Sequence, residues 1–505
     1  MPILNNIAAW LMKKRVHQIE LFMKYPYDVQ GEWLEKLLHT SCETEWGIKY
    51  GYSHIKNHEQ FRNQVPLQTY ETLLPYIDRI RGGEQGLLWP EEIKWFAKSA
   101  GTTGKGRKLI PISPSSLDGC HYNGGRDMVA IHCNNYPETK LFTGKNLALG
   151  GTQQKEYFRN YESWIGDVSA IVISNLPLWA EYFRAPDVEI ALIKDWEEKL
   201  DKLARATMNE NVTSVAGVPC WMLMLFKRIL EYRNETDISA IWPNLEVYFH
   251  GGMNFSPYKK QFREIFQGLN VSHLQLYNAT EGFFGIQFDK ESDEMLLMLD
   301  YGIYYEFIPF DETDSSHPKT IHLSEVELFN SYEMVISTTA GLWRYRLGDV
   351  ITFTSKVPYK FFISGRTKQC INTFGEKLMV QHAEESISIC ADTFNCSIVD
   401  FTAGANFHEK KHEWYIEIEK EGVDPEAFSI ELDACLKEIN LDYKLKRENN
   451  LILAKPSVCF VPKGSFYSWQ KSKGKLGGQH KVIRLSNSLE TITDLKQFLN
   501  GVANA

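Results

Sequence analysis

Paired cysteines are missing from this sequence. Its nine cysteines are odd in number and scattered, no C-x-x-C occurs, and the closest two, Cys390 and Cys396, fit neither zinc nor redox spacing. Free thiols in a reduced, cytoplasmic protein are therefore expected. Basic charge is not in excess: 55 Lys and Arg against 64 Asp and Glu leave a net charge of −9, which argues against non-specific nucleic-acid binding. Long apolar runs are also lacking. The best later candidate, VAGVPCWMLMLF, stops at Lys227 and Arg228, contains Pro219 and is too short to span a bilayer, so no membrane partner is expected. The opening stretch MPILNNIAAWLMKKRVHQIELF does not read as a signal peptide. Asn5 and Asn6 break its apolar run, and Lys13, Lys14 and Arg15 follow the run instead of preceding it. Ile3, Ile7, Trp10 and Leu11 mark one face of an amphipathic helix instead. Internal repeats and low-complexity tracts are absent.

With 505 residues, 43% hydrophobic and 24% charged, the chain is long enough for two or three domains around a large core. The first ninety residues read as helical. The pieces IKWFAKS, KLIPIS and VSAIVIS read as strands, and DWEEKLDKLARATM as a helix capped by Asp195. Alternation of strands and helices on this scale predicts an α/β architecture. Beyond FFISGRTKQ the order becomes short helix, strand, strand, helix, strand. EWYIEIE alternates as a half-buried strand, and DPEAFSIELDACLKEI opens a helix with Asp-Pro. A boundary near Gly365 to Phe374 divides the chain into a large domain, 1–367, and a small α+β domain, 368–505.

The loop SAGTTGKGRK (Ser99 to Lys108) combines glycine, hydroxyl and basic residues, the chemistry of a phosphate cradle. It is not a P-loop: Arg107 and Lys108 stand where Lys and Ser/Thr belong, and the following KLIPISPSS reads as a strand. A dinucleotide G-x-G-x-x-G is absent too. The reading is a strand–loop–strand lid in which Ser99, Thr102 and Thr103 hold a polyphosphate. Two further stretches suit a nucleotide. Glu281, in LYNATEGFFG, stands at a strand end, where a carboxylate holds Mg²⁺ shared with phosphate. Asp349, in WRYRLGDVI, follows a glycine at a predicted strand turn, where it accepts two hydrogen bonds from a ribose diol. HEKKH, His408 to His412, matches a zinc-protease pattern, but it lies against the strand EWYIEIE and reads as a charged hairpin turn.

The loop, Y-x-x-[ST]-E and Y-R-x-G-D-V together resemble the three nucleotide motifs of the auxin-responsive (Gretchen Hagen) acyl-acid amido synthetases. That family belongs to the adenylate-forming superfamily of acyl- and aryl-CoA ligases, peptide-synthetase adenylation domains and luciferases. SAGTTGKGRK keeps Ser99, Gly101, Thr102 and Lys108 of the family's S-S-G-T-S-x-G-x-x-K but moves the second glycine. YNATE carries Ala279 and Thr280 where plant members often have serines. VTSVAGVPCWMLMLFKRILE resembles the bacterial branch. The resemblance spans essentially the whole chain.

It implies an adenylate-forming fold: a large multi-layer α/β domain of sheets plus a β-barrel, followed by a small mobile domain. The implied reaction consumes ATP, with Mg²⁺, to turn a small-molecule carboxylic acid into an acyl-adenylate. Transfer to an amine, typically an amino acid, then gives an amide and AMP. Transfer to a thiol of coenzyme A or a carrier protein, and nucleotide binding without turnover, are the alternatives. In this reading Ser99, Thr102 and Thr103 hold the β- and γ-phosphates, with Gly101 and Lys108 in the same loop. Tyr277, Asn278, Ala279 and Thr280 line the adenine and α-phosphate side, Glu281 binds Mg²⁺, and Gly251, Gly252 and Met253 flank the adenine. Asp349 chelates the ribose, joined by Arg366. Lys481, in GQHKVIR, reaches the α-phosphate, and Lys377 is a weaker hinge or phosphate contact. Trp179, Val218, Pro219 and Met222 lie in segments that could line an acyl pocket, with core packing as the competing explanation.

Overall fold

The computed structural model describes residues 2–99, 108–255, 258–419, 422–448, 452–474 and 482–503. The chain folds as two units. The first comprises 1–253, 265–347 and 351–362, and the second 254–264, 348–350 and 363–505.

The first unit opens with helices Pro2–Lys24, Pro26–Ser41, His58–Gln64 and Tyr70–Arg81. The first of these rolls differently from its apolar pattern. Ile7, Trp10 and Leu11 are exposed, while Val16, Ile19 and Phe22 are buried. Polar anchors set the roll. Arg15 donates from Nε to both oxygens of buried Asp127, at 2.9 and 3.0 Å, and pairs with Asp300 at 2.7 Å. Asn5 donates to Thr139 O at 2.9 Å. An unpaired buried charge costs far more than an exposed leucine, so the ion pairs decide the face.

Strands β1 (Trp95–Lys98), β2 (Leu109–Ile112), β3 (Lys145–Ala148), β4 (Gln153–Phe158) and β5 (Tyr161–Gly166) come next. They are followed by β6 (Arg184–Ala185), β7 (Val212–Gly217), β8 (Val247–Gly251), β9 (Ser272–Ala279) and β10 (Gly282–Gln287). The last of this set are β11 (Met295–Leu297), β12 (Ile303–Pro309), β13 (Ser331–Thr338), β14 (Tyr345–Lys356) and β15 (Tyr359–Arg366). A small sheet has the order β2-β1-β5-β4, and a large one β12-β13-β14-β15-β11-β10-β9-β8-β7-β3-β6. The antiparallel strands extend the large sheet, joining it through β11, which pairs with both β10 and β15.

VSAIVIS, expected as a strand, is the helix Val168–Ser174. A seven-residue apolar run carries no periodicity that separates a buried strand from a buried helix. Val168 and Ile171 pack against Ala97, Ile112 and Leu117. Asp195 caps the helix Trp196–Thr207, accepting from Glu198 N at 2.8 Å.

The second unit adds β16 (Cys370–Ile371), β17 (Leu378–Met379), β18 (Ile398–Asn406), β19 (Lys411–Ile418), β20 (Ser457–Val461) and β21 (Leu485–Ser486). A sheet of order β20-β19-β18-β21 carries the helices Val380–Thr393 and Pro425–Ile439 over a core that includes Trp414, Ile416, Phe428 and Leu432. Two more helices, Ser465–Ser472 and Glu490–Ala503, follow the expected series. HEKKH forms the β18–β19 hairpin, where Asn406 faces Lys411, and His412 Nε2 lies 2.8 Å from Glu376 Oε1 in the interior. No helix among the described residues is long and apolar enough to cross a membrane.

Burial pushes the imidazoles of His121 and His132 down to about 4. Thr139 donates to Glu246 at 2.9 Å, so His132 Nε2, 3.2 Å from the same hydroxyl, is the protonated nitrogen of a neutral ring. A folded pKa below the unfolded value gives stability that is complete above about 6.5 and lost as pH falls toward 4. At pH 5 each histidine should cost about 2 kcal/mol relative to pH 7.5. Urea midpoints of parent and His132→Gln at both pH values check this. Identical losses in the two proteins would exclude His132 as a source.

Candidate functional site

Five strands run parallel in the order β6-β3-β7-β8-β9. In such a sheet ligands bind outside the carboxyl ends of the strands. Here those ends stand side by side. Leu149 N donates to Ala216 O at 3.0 Å, Gly217 faces His250, and Gly251 faces Leu276. Residues 149–152, 217–219, 251–253 and 277–281 therefore share one edge. At Gly251 a Cβ would stand 2.5 Å from Leu276 O and 3.3 Å from Asn278 Oδ1, and Gly252 has φ +81°. The Gly-Gly pair of FHGGMNFS is thus required by close approach and by backbone handedness.

The described flanks of the glycine-rich stretch, Ser99 and Lys108, lie at the end of the β1–β2 pair. β1 and β2 are antiparallel, and Ser99 N donates to Lys108 O at 3.0 Å, which closes the described flanks of a strand–loop–strand. Gly101, Thr102 and Thr103 lie outside the described residues. Lys108 Nζ stands 5.5 Å over the Tyr70 ring. In the parallel β1–β5 pair Ala97 faces Gly166, so the loop leaves beside Asp167. Asp167 Oδ2 accepts from Thr152 N at 2.8 Å, and Ser169 Oγ accepts from Gly151 N at 2.9 Å. These bonds tie the base of the loop to the carboxyl end of β3.

Glu281 occupies the two-residue turn between β9 and β10, where Ala279 faces Gly282. Thr280 is buried and Glu281 half-buried, while Asn278 is exposed. The turn is held from behind, because Phe283 N donates to Cys120 Sγ at 3.1 Å. Cys120 lies in a single π-helical turn, Leu117–Tyr122, and burial pushes its thiol up to about 12. The Tyr277 ring is buried, with centroids 5.0 Å from Phe284 and 6.0 Å from Phe361. The described residues contain no cluster of three or more His, Cys, Asp or Glu placed to hold a metal. Glu281 is a carboxylate at this edge that could hold a divalent cation.

In the second unit the Asp349 carboxylate, 6% exposed, pairs with Arg366 Nε at 2.6 Å. The expected strand turn is absent. Asp349 lies inside β14, because Gly348, at φ +79°, absorbs the bend without ending the strand. Thr367 N donates to Gly348 O at 2.9 Å and secures the bend. Lys377 has φ +43°. Its N–H donates to Asn372 Oδ1 at 3.1 Å, and its carbonyl accepts from Asn440 Nδ2 at 3.2 Å.

The two arginines of WRYRLGDVI serve the first unit's interior. Arg346 Nη2 donates to Glu333 Oε2 at 2.6 Å and Thr313 O at 2.8 Å. Arg344 is spent on Glu306 and its surroundings.

Sequence profiles cover most of the chain. The GH3 family N-terminal domain matches residues 15–271, the GH3 family central domain 296–366 and the GH3 family C-terminal domain 379–490. The chain belongs to the GH3 family. Among curated GH3 relatives, indole-3-acetic acid-amido synthetase GH3.3 of Arabidopsis thaliana is 23% identical over 90% of this chain and 89% of its own length. The 4-substituted benzoates-glutamate ligase GH3.12 of the same plant is 24% identical over 93% and 96%. Among solved structures, the GH3.15 acyl acid amido synthetase superposes with a TM-score of 0.78 at 18% identity, covering 96% of each chain. A 2-hydroxyisobutyryl-CoA ligase in its postadenylation state gives 0.60 at 14%, covering 94% of this chain and 91% of that one. The fold is that of the adenylate-forming ligases.

Along the strand ends of this GH3 chain, Val218 is the half-buried cap of helix Pro219–Arg233, and Pro219 and Met222 are buried. A Cβ on Gly217 would stand 3.0 Å from Met222 Cε, so Met222 packs beneath the edge. The side chain of Trp179 and all of Lys481 lie outside the described residues. Sequence reasoning passed over Asp167, Ser169 and Lys199. The Gly150-Gly151 pair after a strand was the available signal for the first two. For Lys199 it was a lysine three residues after Trp196 and four before Leu203, within the apolar stripe of its helix.

Proposed function

We propose that this chain activates a small carboxylic acid with ATP and transfers it to an amino acid, as an AMP-forming acid–amino acid ligase. The alignment of the strand ends 149–152, 217–219, 251–253 and 277–281, with the base of the glycine-rich loop tied to the same edge, supports the reading most. In the first step a carboxylate oxygen bonds to the α-phosphorus while the bond to the β-phosphate oxygen breaks, releasing pyrophosphate. In the second the amine nitrogen bonds to the acyl carbon, the C–O bond to AMP breaks, and the nitrogen loses a proton.

Each candidate residue has a part. Ser99 and Lys108 anchor the loop that cradles the β- and γ-phosphates, with Gly101, Thr102 and Thr103 between them. Gly251, Gly252, Met253 and Tyr277 to Thr280 form the adenine side, and buried Asp349 receives the ribose diol, shared with Arg366. Glu281 would hold Mg²⁺, whose charge offsets the phosphate oxygens as one anion approaches another. Lys481 places a point charge at the α-phosphate, and Lys377 is a weaker hinge or phosphate contact, in a chain divided into a large domain, 1–367, and a small one, 368–505. Val218, Pro219, Met222 and Trp179 belong to the acyl side. Val212–Glu231 marks a bacterial-type member, and the free thiols suit the cytoplasm.

Acid-dependent ATP–pyrophosphate exchange across a panel of carboxylic acids tests the first step. Mass spectra with amino acids or coenzyme A then test the second. An amide product is expected. A thioester would move the chain to the ligases that use a thiol, and absence of exchange with every acid would end the proposal.

A further inference from the structure

Lys199 is only 1% exposed, although it is a lysine on a helix with open faces. Its Nζ donates to Gly150 O at 2.7 Å and Gly151 O at 2.8 Å. Burial lowers its pKa to about 8, against the opposing pull of Asp167. Methionine or leucine would continue the Trp196–Leu200–Leu203 stripe without the desolvation of an ammonium. The two carbonyls it holds belong to the turn after β3. That turn is gripped on its other side by Asp167 and Ser169. A side chain at either glycine would have to displace a neighbour. A Cβ on Gly150 would stand 2.5 Å from Ile173 Cδ1, and one on Gly151 would collide with the Asp167 carboxylate. Through Leu149 the turn lies directly beside the end of β7, where Gly217 leads into Val218 and Pro219.

We propose that Lys199 is a positioning residue for the acyl substrate: its ammonium clamps the Gly150–Gly151 turn as one wall of the site that receives the carboxylic acid. The inference rests on the functional reading above and adds to it the group that shapes the acyl side. A cation suits the task because one ammonium satisfies two adjacent carbonyls at once, which no apolar side chain does. Asp167 is the charged group that faces it. On its own helix Glu198 is paired with Lys202 at the surface, and from the neighbouring helix Arg228 is paired with Asp201.

The test compares the full-length parent with Lys199→Met and Lys199→Arg, by pyrophosphate exchange and thermal unfolding. Lys199→Met should raise KM for the acid about tenfold or more while KM for ATP stays within about twofold, and Lys199→Arg should recover much of the loss. In the parent, KM for the acid should rise as pH passes about 8, and Lys199→Met should lack that rise. If Lys199→Met does not fold, the arginine variant and the parent's pH profile carry the test. An unchanged acid KM in a folded Lys199→Met, or equal rises for acid and ATP, overturns the assignment. A parent without acid-dependent exchange overturns it too, but through the reading of the site, which the variant comparison keeps separate.

Discussion

Replacing Arg344 with methionine should lower the unfolding free energy by about 3–5 kcal/mol, the range for breaking a buried ion pair from one side. All five guanidinium donors of Arg344 are used. Nε and Nη2 reach Glu306 at 2.8 and 2.9 Å, Nη2 also reaches Thr320 Oγ1 at 2.7 Å, and Nη1 reaches Arg62 O and Val65 O at 2.8 and 2.5 Å. Arg344 is 4% exposed and Glu306 1%. Methionine fills similar volume but leaves the Glu306 carboxylate buried without its guanidinium, with Thr320 as its remaining donor at 2.7 Å, and strips two main-chain carbonyls. The double variant Glu306→Leu with Arg344→Met removes the orphaned charge and should recover part of the loss, though not the part due to the two carbonyls. Denaturant curves of the parent, both single variants and the double variant measure the coupling. Additive losses would show that the pair does not act as a unit.

That network also shows what the sequence made legible. WRYRLGDVI reads as a nucleotide motif, and its aspartate does lie buried beside Arg366. Its two arginines, however, are internal ties whose partners, Glu306 and Glu333, carry no local signal. Long-range pairing is the general obstacle. The helix Trp196–Thr207 and its Asp195 cap follow from local chemistry. The exposure of Ile7, Trp10 and Leu11 follows from Arg15 meeting Asp127, 112 residues away. VSAIVIS became a helix because the packing of Val168 and Ile171 on β1, not propensity, settled it. The glycine pairs 150–151 and 251–252 were visible as letters. Their reason, the crowding of neighbouring chain against the space a Cβ would fill, was not.

Asp349→Ala should lower kcat/KM for ATP by on the order of 10²- to 10⁴-fold, since two hydrogen bonds to an ionised carboxylate contribute about 1.5–3 kcal/mol each. Its effect on folding should be small. The partner it abandons, Arg366, is 42% exposed and rehydrates, and the backbone bond from Thr367 to Gly348 remains. The two possible roles of the carboxylate separate cleanly. A ribose ligand distinguishes ATP from 2′-deoxy-ATP, because a site built to accept from a hydroxyl loses that bond when the hydroxyl is gone. The parent should therefore prefer ATP, and Asp349→Ala should treat the two nucleotides nearly alike. A merely structural Asp349–Arg366 pair predicts the reverse pattern: a lowered melting temperature, with the discrimination between ATP and 2′-deoxy-ATP intact. That result would remove Asp349 from the nucleotide site while leaving the strand edge of the first unit, and the acid-dependent exchange it predicts, to be judged independently.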